Sequence, residues 1–436
     1  MPDSIRQDNL ADESPEGRGK VIAAGVIGNL FEWYDFVIYG FFAPSIAVLF
    51  FGSGGDGSDV LKAFAVFAVG YFARPLGAII FGSIGDRLGR KKALLFSLIV
   101  MAVPTIGLVF LPTWDTVGFL SPVLLILYRI LQGISIGGEF TGANAYLSEH
   151  AGNNRRGLHG AMTVSSAMLG ILLGSLVYTL MEWMLSPDDL LAWGWRLAFA
   201  GGLLILFCAA WLRWRMPVSP HFEKAKATGR VAQHPIRDCL RHQRGPLLRA
   251  IVLISFPAMF CYALTVYFSE FLSTQGTLPK PMAGLIVTVS IGVSVVLPLI
   301  IGAISDHMGR RPFIRGAFLV GVCWAVPMFL LAGMGAPAYA WIAALVASLV
   351  LGTMQGVYPA TLTELFPTST RYSGTSISYN VAFAFLGGTF PLIAQWLVDL
   401  TGSSLAPGYY LGAAGVIALI LIWRIPETGL SPLRSD

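Results

Sequence analysis

Gly82-Ser83-Ile84-Gly85-Asp86-Arg87-Leu88-Gly89-Arg90-Lys91-Lys92 is a short polar stretch that follows a long apolar run, and 220 residues later it returns as Gly302-Ala303-Ile304-Ser305-Asp306-His307-Met308-Gly309-Arg310-Arg311. The same register nearly pairs Gln132-Gly133 with Gln355-Gly356, and Glu149 before Arg155-Arg156-Gly157 with Glu364 before Arg371 and Gly374. The chain is therefore a repeat of two similar halves. What lies between the polar stretches decides what the halves are. Runs such as 93–111, 316–334 and 338–363 carry no charge, and each is near or above the ~20 residues that cross ~30 Å of hydrocarbon as a helix.

Composition agrees. The 436 residues are 55% apolar and 12% charged, about half the charge of a soluble domain, and the mean hydropathy is +0.69. Twelve spans are expected at 21–51, 60–82, 93–111, 121–148, 158–181, 195–214, 248–272, 281–303, 313–334, 338–362, 374–399 and 406–424. The fold class expected is an all-α membrane protein of two pseudo-symmetric six-helix bundles. Residues 1–20 form a cytoplasmic tail, 21–214 the first bundle, 215–247 a polar cytoplasmic linker, 248–424 the second bundle and 425–436 a short tail. Repeated halves of this kind hold their substrate near the midplane between them.

Orientation follows from Lys and Arg, which accumulate on cytoplasmic loops. With the N-terminus inside, 24 of the 29 fall on inside segments; the exceptions are Lys62, Arg74, Arg129, Arg196 and Lys280. Both termini are then cytoplasmic. The net charge of +5 reflects topology, with some attraction to anionic lipid, and does not call for nucleic acid. The first 20 residues lack the apolar core of a signal peptide. Cys208, Cys239, Cys261 and Cys323 form no metal or redox motif and no disulfide framework.

The stretch 82–92 resembles the loop signature of the major facilitator superfamily. The second copy is weaker, with His307 in place of Arg. Gly28-Asn29-Leu30-Phe31-Glu32-Trp33-Tyr34-Asp35-Phe36, Arg74-Pro75-Leu76-Gly77, Arg129-Ile130-Leu131-Gln132-Gly133, Gly137-Gly138-Glu139-Phe140-Thr141-Gly142-Ala143 and Phe366-Pro367-Thr368-Ser369-Thr370-Arg371-Tyr372-Ser373 are similar to the metabolite:proton symporter family. That family includes proline/betaine, citrate, 2-oxoglutarate and shikimate carriers, and the likeness is greatest to the proline/betaine type. The chain stops about a dozen residues after its last span, without the long heptad tail of some osmosensing members, which speaks against osmotic activation. The resemblance also implies a gate: Asp86 at the N-terminus of a second-half helix and Arg90 against Glu149, with Asp306, Arg310 and Glu364 as their counterparts. Helix dipoles do attract carboxylates there. Basic loops that merely set topology would leave the Asp and Gly residues unexplained.

Charges deep in a span cost ~2.5–3.5 kcal/mol or more each. The deep set is Glu32, Asp35, Arg74, Arg129 and Glu139, all in the first half. Glu32 and Asp35 share a helix face, which Tyr39 continues. Gln132 and Glu139 align on the fourth span, with Arg129 within about 80° of both at ~100° per residue. These acids could simply neutralise the arginines and lock helices together. Three acids against two bases leave one over, and that acid is the expected proton carrier: Asp35 or Glu139, with Glu32 next. Arg129 and Arg74 suit a substrate carboxylate. Trp33, Tyr39 and Tyr379 are aromatic candidates for an ammonium, though packing is the commoner use of such rings. The balance of charge favours a zwitterion over citrate.

Other readings are weaker. Gly133-Ile134-Ser135-Ile136-Gly137 matches a hydrolase nucleophile pattern, but it lies inside a span and all six histidines map to inside loops. No phosphate-binding Gly-Lys-Ser/Thr loop supports ATP-driven transport, so the chain is not expected to be an enzyme or to need a cofactor. An organic-anion or drug exporter is the alternative carrier. A sensor would need an extra domain that neither the linker nor the tails provide. The chain is expected to work as a monomer in the plasma membrane, the inner membrane of a bacterium, with a small-molecule substrate and protons as partners. A phosphatase fused after Asp436 should be inactive in cells and one inserted at Thr116 active; activity after Asp436 would reverse the orientation.

Overall fold

The computed structural model describes residues 15–52, 57–88, 90–138, 140–144, 155–214, 235–367 and 370–431, with the side chains of 15–25, 57–58, 82–83, 85–94, 209, 212–214, 235–238 and 372 outside the description. Long apolar runs without water can satisfy their backbone only internally, and they do so as helices. The first half runs α1 (Pro15–Phe41), α2 (Ala43–Phe51), α3 (Gly57–Phe72), α4 (Arg74–Leu88), α5 (Arg90–Val109), α6 (Leu120–Ile136), α7 (Arg156–Met184) and α8 (Trp195–Trp214). The second runs α9 (Pro235–His242), α10 (Arg244–Tyr262), α11 (Phe268–Thr274), α12 (Lys280–Met308), α13 (Arg311–Ala332), α14 (Pro337–Glu364), α15 (Arg371–Ala382), α16 (Phe390–Thr401) and α17 (Ala406–Ile422).

Among the described residues, nine helical stretches are long and apolar enough to cross a membrane. A tenth is the pair Val26–Phe41 and Ala43–Phe51, bent by 66°, and two shorter apolar helices, Leu95–Val109 and Ala406–Ile422, fall where the third and twelfth spans are expected. The bend falls where Pro44 follows Phe42, as Pro permits a new first turn but not an unbroken helix. At Arg74-Pro75, by contrast, α3 and α4 run on as one span, Asp59–Phe81. In the second half, π-helical turns at Ala263–Tyr267 and Phe383–Gly387 widen the spans that face the molecular centre, a feature common at functional sites.

Polarity is inverted relative to a soluble protein. Leu204 and Phe207 are each 72% exposed, while Glu32, Asp35, Arg74, Arg129 and Gln132 are buried. The outward apolar surface fits lipid, and the polar groups lie in the protein interior.

Small residues set how closely the spans approach. A Cβ added to Gly133 would sit 1.8 Å from the Gly70 carbonyl oxygen, one on Gly77 1.8 Å from that of Ile134, and one on Gly137 2.2 Å from that of Arg74. Glycine thus lets α6 lie directly on α3 and α4, which brings Arg74, Arg129 and Gln132 to the centre. The two halves meet most extensively along α7 and α12, where Gly157 and Gly302 face each other.

Overpacking a well-filled contact typically costs ~1–3 kcal/mol. Gly133→Leu is expected to lower the melting temperature in detergent by several degrees, whereas Gly292→Leu, with nothing within 4 Å of its added Cβ, should leave it unchanged. Equal melting of both variants would contradict the close crossing of α6 with α3 and α4.

Candidate functional site

A small cavity of about 10 Å³, room for roughly one water, lies between the halves. The first half supplies Trp33, Phe140, Val164, Ala167 and Met168; the second supplies Pro257, Cys261, Gln355, Tyr358, Tyr379 and Phe383. All eleven are buried. Toward one end the halves are joined by Ser175 and Thr179, whose hydroxyls lie 2.7 and 3.0 Å from that of Thr288. Toward the other, Asn380 donates to the Gly137 carbonyl at 2.8 Å and Asn144 to that of Pro359 at 3.2 Å. Contacts between the halves thus lie on both sides of the hollow.

Arg74 stands beside it. Its guanidinium carbon lies 5.4 Å from the Trp33 ring, 5.2 Å from Tyr71, 5.5 Å from Tyr379 and 5.5 Å from Phe383. The first two rings belong to the first half and the last two to the second, and Trp33, Tyr379 and Phe383 also wall the hollow. Arg74 is fully buried, and Nε, Nη1 and Nη2 have no hydrogen-bond partner among the described residues. Ring faces soften the cost of a buried cation, but five N–H donors remain without acceptors.

Arg129 is used differently. Its Nη1 donates to Gln132 Oε1 at 2.7 Å and to the Phe36 carbonyl at 3.0 Å, and the guanidinium lies over the rings of Phe36 and Tyr39, at 4.1 and 4.4 Å. Gln132 Nε2 donates to Asp35 Oδ2 at 2.7 Å. One amide thus stands between acid and base, so Asp35 and Arg129 are linked without direct contact. Thr105 Oγ1 lies 2.9 Å from the same Asp35 oxygen and 2.9 Å from the Met101 carbonyl. Asp35 Oδ1 has no partner among the described residues. Tyr39 donates to the Ala63 carbonyl at 3.1 Å and does not line the hollow. Glu32 is buried on the Asp35 helix.

Of the gating candidates, Asp306, Arg310 and Glu364 come together. Asp306 Oδ1 and Oδ2 accept from the backbone N–H of Gly157 (2.7 Å) and Leu158 (3.1 Å), in the first turn of α7. A carboxylate from the second half thus caps a first-half helix, where dipole and orphan N–H groups favour it. Arg310 Nη2 donates to Asp306 Oδ1 at 2.8 Å and to Glu364 Oε1 at 3.1 Å. Glu139 and Glu149, and the side chains of Asp86 and Arg90, lie outside the described residues.

Three members of this cluster were not singled out from sequence. Arg156 Nη1 lies 3.4 Å from Glu364 Oε1, across the halves. Thr428 donates to Glu364 Oε2 at 2.6 Å. Glu427 accepts from the backbone of Arg310 (2.8 Å) and Arg311 (2.9 Å), closing the N-terminus of α13. Burial pushes the Glu427 carboxyl up, but backbone N–H groups of Arg310, Arg311, Gly429 and Thr428 outweigh it and hold the group below its ordinary value. Arg156 had been counted only for topology. The signal for Glu427 was a carboxylate just past the last span, in Pro426-Glu427-Thr428-Gly429.

The chain matches the Major Facilitator Superfamily over residues 25–390, and it belongs to that family. It is 32% identical over 425 residues to the glycine betaine/proline/ectoine/pipecolic acid transporter OusA of Dickeya dadantii, covering 95% of this chain and 84% of that one. It is 33% identical over 441 residues to the ectoine/proline transporter ProP of Corynebacterium glutamicum, covering 98% and 87%. Among solved structures, the xylose transporter XylE from E. coli, in a partially occluded inward-open conformation, superposes with a TM-score of 0.73 at 20% identity, covering 95% of this chain and 99% of that one. The likeness to XylE is one of fold.

Breaking a buried ion pair on one side costs ~3–5 kcal/mol, so the junction of the halves at Asp306, Arg310 and Arg156 depends on Glu364. In a variant that keeps Cys261 and replaces the other three cysteines by Ser, adding Glu364→Gln should speed maleimide labelling of Cys261 at least about tenfold, the factor that ~1.4 kcal/mol gives. An unchanged labelling rate would show that Glu364 does not hold the halves together.

Proposed function

We propose that this major-facilitator transporter takes up a small zwitterionic carboxylate, of the proline or glycine betaine kind, together with protons. The observation that carries the reading is Arg74: a fully buried guanidinium with no hydrogen-bond acceptor among the described residues, ringed by aromatics from both halves and set against a hollow between them. A substrate carboxylate supplies the missing acceptors as a paired contact. The rings that surround Arg74 also offer faces to the substrate's cationic end. The relatives named for proline, glycine betaine and ectoine carry solutes that combine an anionic and a cationic end in this way.

Asp35 is the proton carrier in this reading. Thr105 has one hydroxyl hydrogen and two acceptors at 2.9 Å. When Asp35 is ionised, Thr105 donates to it. When Asp35 is protonated, the acid donates to Thr105, whose hydrogen turns to the Met101 carbonyl. Asp35 Oδ2 therefore keeps a partner in both protonation states, and Gln132 connects either state to Arg129. Trp33, two residues before Asp35 on α1, belongs to the Arg74 cage, so proton site and substrate site share a helix.

Alternating access follows from rocking of the halves about the hollow, with Asp306, Arg310, Glu364 and Arg156 holding the cytoplasmic end shut until it opens for release. Both termini face the cytoplasm of a bacterial cell, and a monomer suffices.

Proteoliposomes test the coupling. With an inwardly directed proton gradient the wild type should accumulate L-proline or glycine betaine above equilibrium. Asp35→Asn should lose at least about nine-tenths of that accumulation while still exchanging internal for external substrate. Accumulation that ignores the imposed gradient in the wild type, or that survives in Asp35→Asn, would contradict the assignment.

A further inference from the structure

We infer that Gln355 accepts the N–H of the substrate's amine, and that it is the position by which the carrier separates N–H-bearing amino acids from fully methylated betaines; this rests on the hollow being the substrate site. Gln355 lies on α14, is 3% exposed and lines the hollow. Its Nε2 points at two sulfurs, Met168 Sδ at 3.4 Å and Cys261 Sγ at 4.0 Å. A thioether has no hydrogen to give, so the amide must turn its nitrogen, not its oxygen, toward Met168. That fixes Oε1 as the free end, and Oε1 has no hydrogen-bond partner among the described residues.

The other unsatisfied groups around the hollow are donors. Trp33 Nε1 has no partner among the described residues, nor have the three Arg74 nitrogens. These suit the carboxylate end of a zwitterion. None of the eleven residues lining the hollow is Asp or Glu, so the amine end meets no anion there. Positive charge is offered ring faces, which serve any ammonium. An N–H also needs an acceptor once water is stripped from it, and Gln355 Oε1 is the one left open. The hydroxyls of Tyr358 and Tyr379 are two-way groups and do not discriminate between ligands with and without N–H.

The internal repeat sharpens the point. Gln132-Gly133 and Gln355-Gly356 are near-equivalent positions of the two halves. In the first half the amide is used at both ends, donating to Asp35 and accepting from Arg129. In the second half neither partner exists, and the oxygen is left for a visitor. The glycines serve alike: an added Cβ at Gly133 meets the Gly70 carbonyl at 1.8 Å, and one at Gly356 meets Ile301 Cβ at 2.7 Å. Both amides thus stand next to a tight helix crossing that holds their backbone.

A site with a buried acceptor discriminates against a ligand that cannot fill it, and loses that discrimination when the acceptor goes. The test measures uptake of L-proline, which bears N–H, and of glycine betaine, which bears none, in proteoliposomes of the full chain. Gln355→Leu should raise KM for proline at least about tenfold and change that for glycine betaine less than about twofold, so retained betaine transport shows that the variant folds. Gln355→Glu, which keeps an acceptor, should hold proline within a few-fold of wild type. If Gln355→Leu shifts both substrates equally, or neither, or abolishes both, the assignment of Gln355 is overturned while the substrate site stands. If the wild type carries neither compound, the proposed function fails first and takes this assignment with it.

Discussion

A guanidinium sealed from water among aromatic rings, with none of its donors satisfied by the described residues, is the constraint on which the centre of this molecule depends. Arg74 cannot shed its proton, and leaving such a charge in a low-dielectric interior is costly unless something compensates it. The rings of Trp33, Tyr71, Tyr379 and Phe383 compensate in part, and they come from both halves. The cage therefore exists only when the halves are together. A ligand that supplies a carboxylate completes what the protein leaves open, and so favours the closed arrangement over states in which the halves part.

Packing makes that arrangement possible. Glycines at 77, 133 and 137 let the fourth span lie on the second with backbone nearly touching backbone, and Arg74, whose carbonyl faces Gly137, sits at that crossing. Arg129 and Gln132, on the same span, then reach Asp35. At the Asp306 end of α12 the same principle recurs with more complete partnering: Asp306 caps a helix of the opposite half, and Glu364 collects Arg310, Arg156 and Thr428. One end of the molecule is held by satisfied charges and the centre is left wanting one. That difference is what a carrier needs, since the centre must reward a visitor and the gate must open without one.

Much of this was legible in the sequence because charge in an apolar run is expensive and therefore conspicuous. The repeat of 82–92 at 302–311, the twelve runs and the deep residues Asp35, Arg74 and Arg129 could all be found by asking which residues the bilayer should not contain. Asp306, Arg310 and Glu364, expected at a gate, came through family likeness. The neutral participants did not announce themselves. Thr105 and Gln355 cost little on any hydropathy count, and their meaning lies in which oxygen or hydrogen is left over once neighbours are placed. Helical spacing put Gln132 within about 80° of Arg129 at ~100° per residue, yet could not show that it would stand between Arg129 and Asp35. Tyr39 was grouped with substrate contacts because it shares the face of Asp35, but that face looks toward Arg129 rather than the hollow. Periodicity gives a direction around one helix; what waits in that direction is a property of the packed bundle.

The central claim is that Arg74 meets the substrate's carboxylate, and equilibrium binding to the purified protein tests it most directly. L-proline and L-prolinamide differ at the carboxyl and share the ring and the amine. The account predicts that the wild type binds proline at least about tenfold more tightly than prolinamide, and that Arg74→Gln binds the two about equally. A variant that keeps the preference for proline would place the carboxylate elsewhere and contradict the account.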